Sequence, residues 1–250
     1  MSAPKLTALV TGASAGMGAE FCRQLAGRCD AIIAVARRGE RLGELRRELE
    51  SRVELHPVAA DLTSVEGLTR AIEALRQLGP VDYLVNNAGF STFGDFADQE
   101  IQSQRDMVSL HIDACISLCR AAIPFMRERG GGSIINVSSI GACLPGRGLA
   151  VYGATKAFLN FFSQSLQVEL AGTGIEVQAL CPGYTHTEFH ADIERLGFDK
   201  SRIPAQMWMN ADEVVANSLA ALGRGRVVVV PGEDNVALAR TGLQQQLDAV

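Results

Sequence analysis

An α/β fold built on one doubly wound parallel sheet is predicted by three features of the 250-residue sequence. Seven short runs rich in β-branched residues recur along it. Helix-patterned segments separate them, so each strand starts again from the same edge and neighbours run parallel. Most runs are apolar throughout rather than alternating, as strands covered on two faces must be. The expected product is a single domain over residues 1–250, a seven-stranded, mainly parallel sheet with helices on both faces.

The strand runs are 6–10, 31–36, 53–58, 82–85, 133–138, 175–180 and 226–230. Between them, Leu42, Leu45 and Leu49 mark one helix face and Leu68, Ile72 and Leu75 another. Two longer helices are expected over about 99–128 and 152–171. In a sheet of this kind, ligands gather beyond the carboxyl ends of the strands, where strand order reverses. The residues closing each strand are therefore the candidates for chemistry.

Composition excludes several roles. Hydrophobic residues make up 47% and charged residues 20%, which argues against disorder. A net charge of -5 argues against nucleic acid as the main partner, since binding phosphates needs a basic excess. There is no unbroken apolar stretch of about 20 residues, so no membrane span is expected. Met1 to Lys5 run almost directly into the first strand without room for a leader, which predicts a cytoplasmic protein. The six cysteines form no CxxC pair. Cys115 and Cys119 stand one helical turn apart without a His or acidic partner at zinc-site spacing, and read as small buried hydrophobes.

The first strand runs into Thr11-Gly12-Ala13-Ser14-Ala15-Gly16-Met17-Gly18, which opens a helix. Glycines let the backbone turn tightly and approach a pyrophosphate, while the helix start supplies N–H groups and positive potential. No Gly-Lys-Ser/Thr follows, so this is not a Walker A loop. The second strand ends at Ala36-Arg37-Arg38. An acid here would bind a ribose 2′-hydroxyl, whereas Arg37 can bind a 2′-phosphate, which favours NADP(H) over NAD(H). The bland alternative is two solvated arginines at a helix start.

Tyr152 and Lys156 are four residues apart at the start of the second long helix, so phenol and ammonium share a face. Lysine is scarce, with Lys5 and Lys200 the only others, so its choice at 156 in an Arg-rich chain is suggestive. A nearby cation lowers a phenol pKa toward the range useful for proton transfer. Ser138 and Ser139 close the fifth strand, where a hydroxyl can bond a carbonyl oxygen beside the Tyr. Asn86-Asn87-Ala88-Gly89 closes the fourth. Each piece alone has a dull reading as loop chemistry; their occurrence at successive strand ends does not.

In that order, Thr11-Gly12-x-x-x-Gly16-x-Gly18, Asp61-Leu62, Asn86-Asn87-Ala88-Gly89, Ser139, Tyr152-x-x-x-Lys156 and Pro182-Gly183-x-x-x-Thr187 resemble the short-chain dehydrogenase/reductase family over nearly the whole chain. The length matches its shorter branch. The resemblance implies a Rossmann fold and an alcohol–carbonyl oxidoreductase using a nicotinamide dinucleotide. It implies Tyr152 as acid/base, Lys156 on the ribose and lowering the Tyr pKa, and Ser139 orienting the substrate oxygen. Asp61 and Leu62 would flank the adenine, Asn87 the adenosine ribose, and Thr185 and Thr187 the carboxamide. Ser14, Met17, Ala88, Gly89, Pro182 and Gly183 complete the expected cofactor site.

One position departs from the family pattern. A polar Asn usually sits midway along the first long helix and helps hold a water behind the Lys; here the slot holds His111. Three outcomes are open: a backbone carbonyl at a helix kink suffices, His111 titrates near neutrality and joins the relay, or the relay is broken. The last would leave a slow enzyme or a non-catalytic nucleotide-binding protein.

A substrate flap is expected over about 184–210. Phe90, Cys143, Leu144, Tyr184, Phe189 and Trp208 are expected to line a lipophilic pocket. Phe93 and Phe96 lie nearby, and Arg147 either reaches the pocket or faces solvent. His186 and His190 bracket Glu188, but the acid is one position late for a zinc-protease motif, so no metal is expected. The two long helices build a subunit interface in this family, and their apolar content predicts a homodimer or homotetramer.

Overall fold

Residues 5–250 are described by a computed structural model; Met1 to Pro4, where a leader was looked for, lie outside the described residues. In chain order the strands are β1 (Thr7–Thr11), β2 (Ala31–Ala36), β3 (Glu54–Ala59), β4 (Tyr83–Asn86), β5 (Gly132–Val137), β6 (Ile175–Leu180), β7 (Tyr184–His186), β8 (Trp208–Asn210) and β9 (Val228–Val229). The helices are α1 (Gly16–Leu25), α2 (Gly39–Leu49), α3 (Val65–Leu78), α4 (Ile101–Val108), α5 (Ala114–Arg129), α6 (Ala150–Glu169), α7 (Glu188–Arg195), α8 (Ala211–Ala221) and α9 (Glu233–Asp248).

Seven strands form one sheet in the order β3-β2-β1-β4-β5-β6-β9, every pairing parallel. Period-two geometry sends alternate residues to opposite faces. Ala8, Val10, Ile32 and Ala34 pack under α1, α2 and α8, whereas Leu9, Ile33 and Val35 pack under α3, α5 and α6. Both faces are covered, which is why the runs read as continuously apolar. Strand β3 departs from that expectation: its buried and solvated residues alternate, because it is an edge. Pro57 is tolerated there, since its missing N–H removes no bond from a second neighbour. At the other edge β9 is trimmed to two residues.

The first long helix is two helices joined by a π-turn at Ser109–Asp113. By length and composition Ile101–Arg129 could cross a bilayer, contrary to expectation, but Leu118, Cys119, Ala122 and Met126 pack it into the core beneath the sheet. Strand order reverses between β1 and β4 and opens a crevice at their carboxyl ends. Strands β7 and β8 pair separately, parallel, on either side of α7.

Candidate active site

Gly12 and Gly16 adopt φ values of +67° and +52°, open to glycine without strain. A Cβ on Gly12 would come within 2.7 Å of Asn87 Nδ2 and 2.9 Å of Ala88 Cα, and one on Gly18 would collide with the Gly12 carbonyl. The loop is thus packed backbone to backbone on the turn after β4. Thr11 fastens the two together: its Oγ1 accepts from the N–H groups of Asn87 (2.9 Å) and Ala88 (3.0 Å), and Asn87 Nδ2 donates to its carbonyl at 2.9 Å. No side chain caps α1, so its first N–H groups remain for a ligand.

The crevice above this cradle is lined by Ser14, Met17, Arg37, Asp61, Leu62 and Gly89, among others, and by Thr187 and Phe189 from the far side. Its shape and donor set fit a dinucleotide: small residues where a pyrophosphate must approach, a free helix start, and arginines at the end of β2. Asp61 accepts from the Thr63 N–H and hydroxyl, which with Arg37 nearby hold its carboxyl below the usual range. Thr185 does not reach the crevice. It is buried with its hydroxyl on the Gly183 carbonyl, while Thr187 is the threonine that faces the glycine loop. Pro182 and Gly183 lie behind it; a Cβ on Gly183 would collide with Asn235.

At the ends of β5 and α6 the chemistry-bearing side chains converge. Ser139 Oγ accepts from the Gly141 N–H at 3.0 Å and lies beside Tyr152. Lys156 is buried, its Nζ donating to the Val137 carbonyl at 2.9 Å and lying 5.6 Å from the centre of the Tyr152 ring. Ser138 ties this turn to the strand, its Oγ donating to the Lys156 carbonyl at 2.8 Å. Burial pushes the Tyr152 phenol up to about 12, the Ser139 bond opposing it, and brings the Lys156 ammonium down to about 8. In the free chain the phenol is thus raised rather than lowered, because desolvation dominates.

His111 sits in the π-turn, buried, with both ring nitrogens engaged. Nδ1 lies 2.8 Å from Thr155 Oγ1, which itself donates to the Tyr152 carbonyl at 2.8 Å. Nε2 accepts from the Phe90 N–H at 3.3 Å. The hydroxyl's donated proton and the amide's donor role leave one tautomer, neutral with hydrogen on Nδ1. Burial and the Lys156 charge hold its pKa well below 6.5, which opposes the alternative in which His111 titrates near neutrality.

Of the expected pocket residues, Phe90 and Phe189 face the crevice, and the Phe189 ring is 5.9 Å from that of Tyr152. Tyr184 and Trp208 pack at a tilt of 41° within the flap, their ring centres 5.5 Å apart. Cys143 and Leu144 are corrected: Cys143 is buried with Ile140 and Ala239, Leu144 packs against that cluster, and α9 covers both. Arg147 faces solvent, paired with Asp95 at 2.6 Å. Cys115 and Cys119 donate to Asn136 inside the core, and Glu188 between the two histidines is ion-paired to arginines. Thr155 escaped the sequence reading although it lies inside the Tyr–Lys motif. Its signal was a hydroxyl three residues after Tyr152, able to bond back to the turn.

A glycine cradle at the sheet's switch point, facing a half-buried phenol and hydroxyl beside a buried ammonium, defines a Rossmann-type dinucleotide-dependent oxidoreductase. The short chain dehydrogenase family matches residues 6–195, and the chain belongs to it. Among solved structures, a short-chain dehydrogenase from Sphingobium yanoikuyae in complex with NADPH is 35% identical, with a TM-score of 0.83 over 96% of this chain and 95% of that one. A bulky-bulky ketone specific alcohol dehydrogenase from Comamonas testosteroni is 32% identical, with a TM-score of 0.80 over 96% and 94%. A relative of known name, sulfoacetaldehyde reductase 2 from Chromohalobacter salexigens, is 33% identical over 217 residues, 86% of this chain and 85% of its own length.

Proposed function

We propose that this protein is an NADP(H)-dependent oxidoreductase that interconverts an alcohol with a ketone or aldehyde of lipophilic or aromatic character. The carrying observation is the convergence of Ser139 and Tyr152 on buried Lys156, whose Nζ lies 5.6 Å from the centre of the Tyr152 ring. Ser139 Oγ accepts from Gly141, and its own hydrogen, turned toward the phenol oxygen, is the one a substrate oxygen would take. Tyr152, holding its proton firmly, donates it to that oxygen in reduction. Lys156 places its charge beneath the ribose end of the crevice and beside the phenol. When bound, the nicotinamide supplies or accepts the hydride.

NADP(H) is supported by Arg37 and Arg38 at the end of β2, with no acid among the residues that close that strand, and by the NADPH held by the Sphingobium relative. A lipophilic substrate is supported by Phe90 and Phe189, which line the crevice, the Phe189 ring 5.9 Å from that of Tyr152. Residues 184–210 act as the flap over it within one catalytic domain. Self-association through α4, α5 and α6 is supported by exposed Val108, Ile116, Phe161 and Val168 on those helices.

The test is NADPH oxidation followed at 340 nm with a panel of aryl ketones, bulky ketones and aldehydes. Tyr152→Phe should lower kcat by about 10²- to 10⁴-fold with coenzyme binding retained. Turnover indifferent to that substitution would overturn the reading.

A further inference from the structure

Glu188 is the first residue of α7, directly after Thr187 on the flap. Its carboxylate spans two guanidinium groups that belong to the other wall of the crevice. Oε2 lies 2.8 Å from Nη1 of Arg38, and Oε1 is paired with Arg41. Arg38 at the same time donates through Nε to Ser14 Oγ in the glycine-rich loop at 3.2 Å. Ser14, Arg37, Arg38 and Glu188 all line the coenzyme crevice.

An isolated surface ion pair says little about function. This one joins two elements 150 residues apart in sequence, across a ligand crevice, and uses an arginine that also touches the phosphate-binding loop. A carboxylate held by two arginines is the geometry of an occupied anion site. The site lies at the end of β2, where a 2′-phosphate on the adenosine ribose would fall.

We infer that Glu188 is a coenzyme-specificity residue: its carboxylate is an internal stand-in for the 2′-phosphate, and NADP(H) must displace it from Arg38. This rests on the NADP(H) reading above. A dianionic phosphate offers three strong acceptor oxygens and outcompetes a carboxylate for the guanidinium. The 2′-hydroxyl of NAD(H) is uncharged and leaves the bridge in place. The bridge ends on the first residue of α7, so the phosphate also releases one tether of the flap, and a coenzyme without it does not.

The experiment measures Kd by titration calorimetry for NADPH, NADH, 2′,5′-ADP and 5′-AMP with the wild type, Glu188→Gln and Arg37→Ala. Glu188→Gln should bind NADPH and 2′,5′-ADP about 3- to 10-fold more tightly, the size of a lost exposed ion pair. NADH and 5′-AMP should stay within about twofold by the same reasoning. Hydrogen exchange over residues 187–195 should rise on adding 2′,5′-ADP to the wild type and not on adding 5′-AMP. Equal weakening of all four ligands would make Glu188 a strap that holds any coenzyme, and unchanged affinities would make it a bystander; either result overturns the inference. Should Arg37→Ala lose NADPH selectively while Glu188→Gln changes nothing, this inference fails and the coenzyme reading stands.

Discussion

The hydroxyl of Thr155 and Nδ1 of His111 lie 2.8 Å apart, 44 residues from one another in the chain. The bond links the π-turn of the long helix to the first turn of α6, because the same hydroxyl donates to the Tyr152 carbonyl. Thr155→Val breaks the link while keeping the shape. Catalysis is sensitive to displacements of the order of an ångström, so kcat should fall about 10-fold or more. Coenzyme Kd should not move. The pH–rate profile should keep its form, since a neutral ring takes no part in titration near pH 6.5.

The same imidazole makes stability depend on acidity. Its folded pKa lies below 6.5, so the unfolded chain takes up the proton first as pH falls. His190, brought down to about 4 by burial, acts in the same direction. Their contribution is whole above about pH 6.5 and declines below it, for His190 until about pH 4. Thermal melts between pH 7 and 4.5 should show a falling Tm, and His190→Phe should flatten part of the slope.

Lys156 sets stability against function. Its pKa of about 8 against an ordinary 10.5 means the buried ammonium costs folding free energy at neutral pH, about 3 kcal/mol at most. Lys156→Met should raise Tm at pH 7 and abolish turnover. Between pH 8 and 10.5 the unfolded state binds more protons, so wild-type stability should rise across that window and the variant's should not. A lower Tm for Lys156→Met at pH 7 would contradict the buried-charge account.

Arg37→Ala should weaken NADPH by about 10- to 100-fold, the worth of a charge-assisted bond to phosphate. NADH should change little. Binding titrations with both coenzymes check this, and a parallel loss would remove the phosphate contact.

Phe161 is 73% exposed on α6 and Val168, two turns on, is 77% exposed. Phe161→Glu should convert an oligomer to monomer in light scattering coupled to size exclusion, with the fold retained by circular dichroism. A wild type that is already monomeric would refute self-association through this face.

The elements most legible from sequence were those whose signal is local. Strands β2 and β6 fall on the expected residues, because continuous β-branched runs have one sensible partner geometry in a two-sided sheet. Ser139, Tyr152 and Lys156 could be grouped from sequence because a strand end and one helical turn suffice to bring them together. Thr185 and Thr187 part because Thr185 is buried within β7 while Thr187 falls beyond it, at the start of α7, where it lines the crevice. Cys143 and Leu144 were assigned to the substrate side because nothing nearby in sequence announces that α9 returns to cover them.

Residue order alone determined the doubly wound sheet, the glycine loop and the phenol–ammonium pair, all products of periodicity or of contacts within a few residues. Tertiary structure alone decided the tautomer of His111, the direction in which Tyr152 and Lys156 shift, and the partner of Arg38. Those depend on burial and on charges brought together from segments up to 150 residues apart, and desolvation is a property of the packed whole.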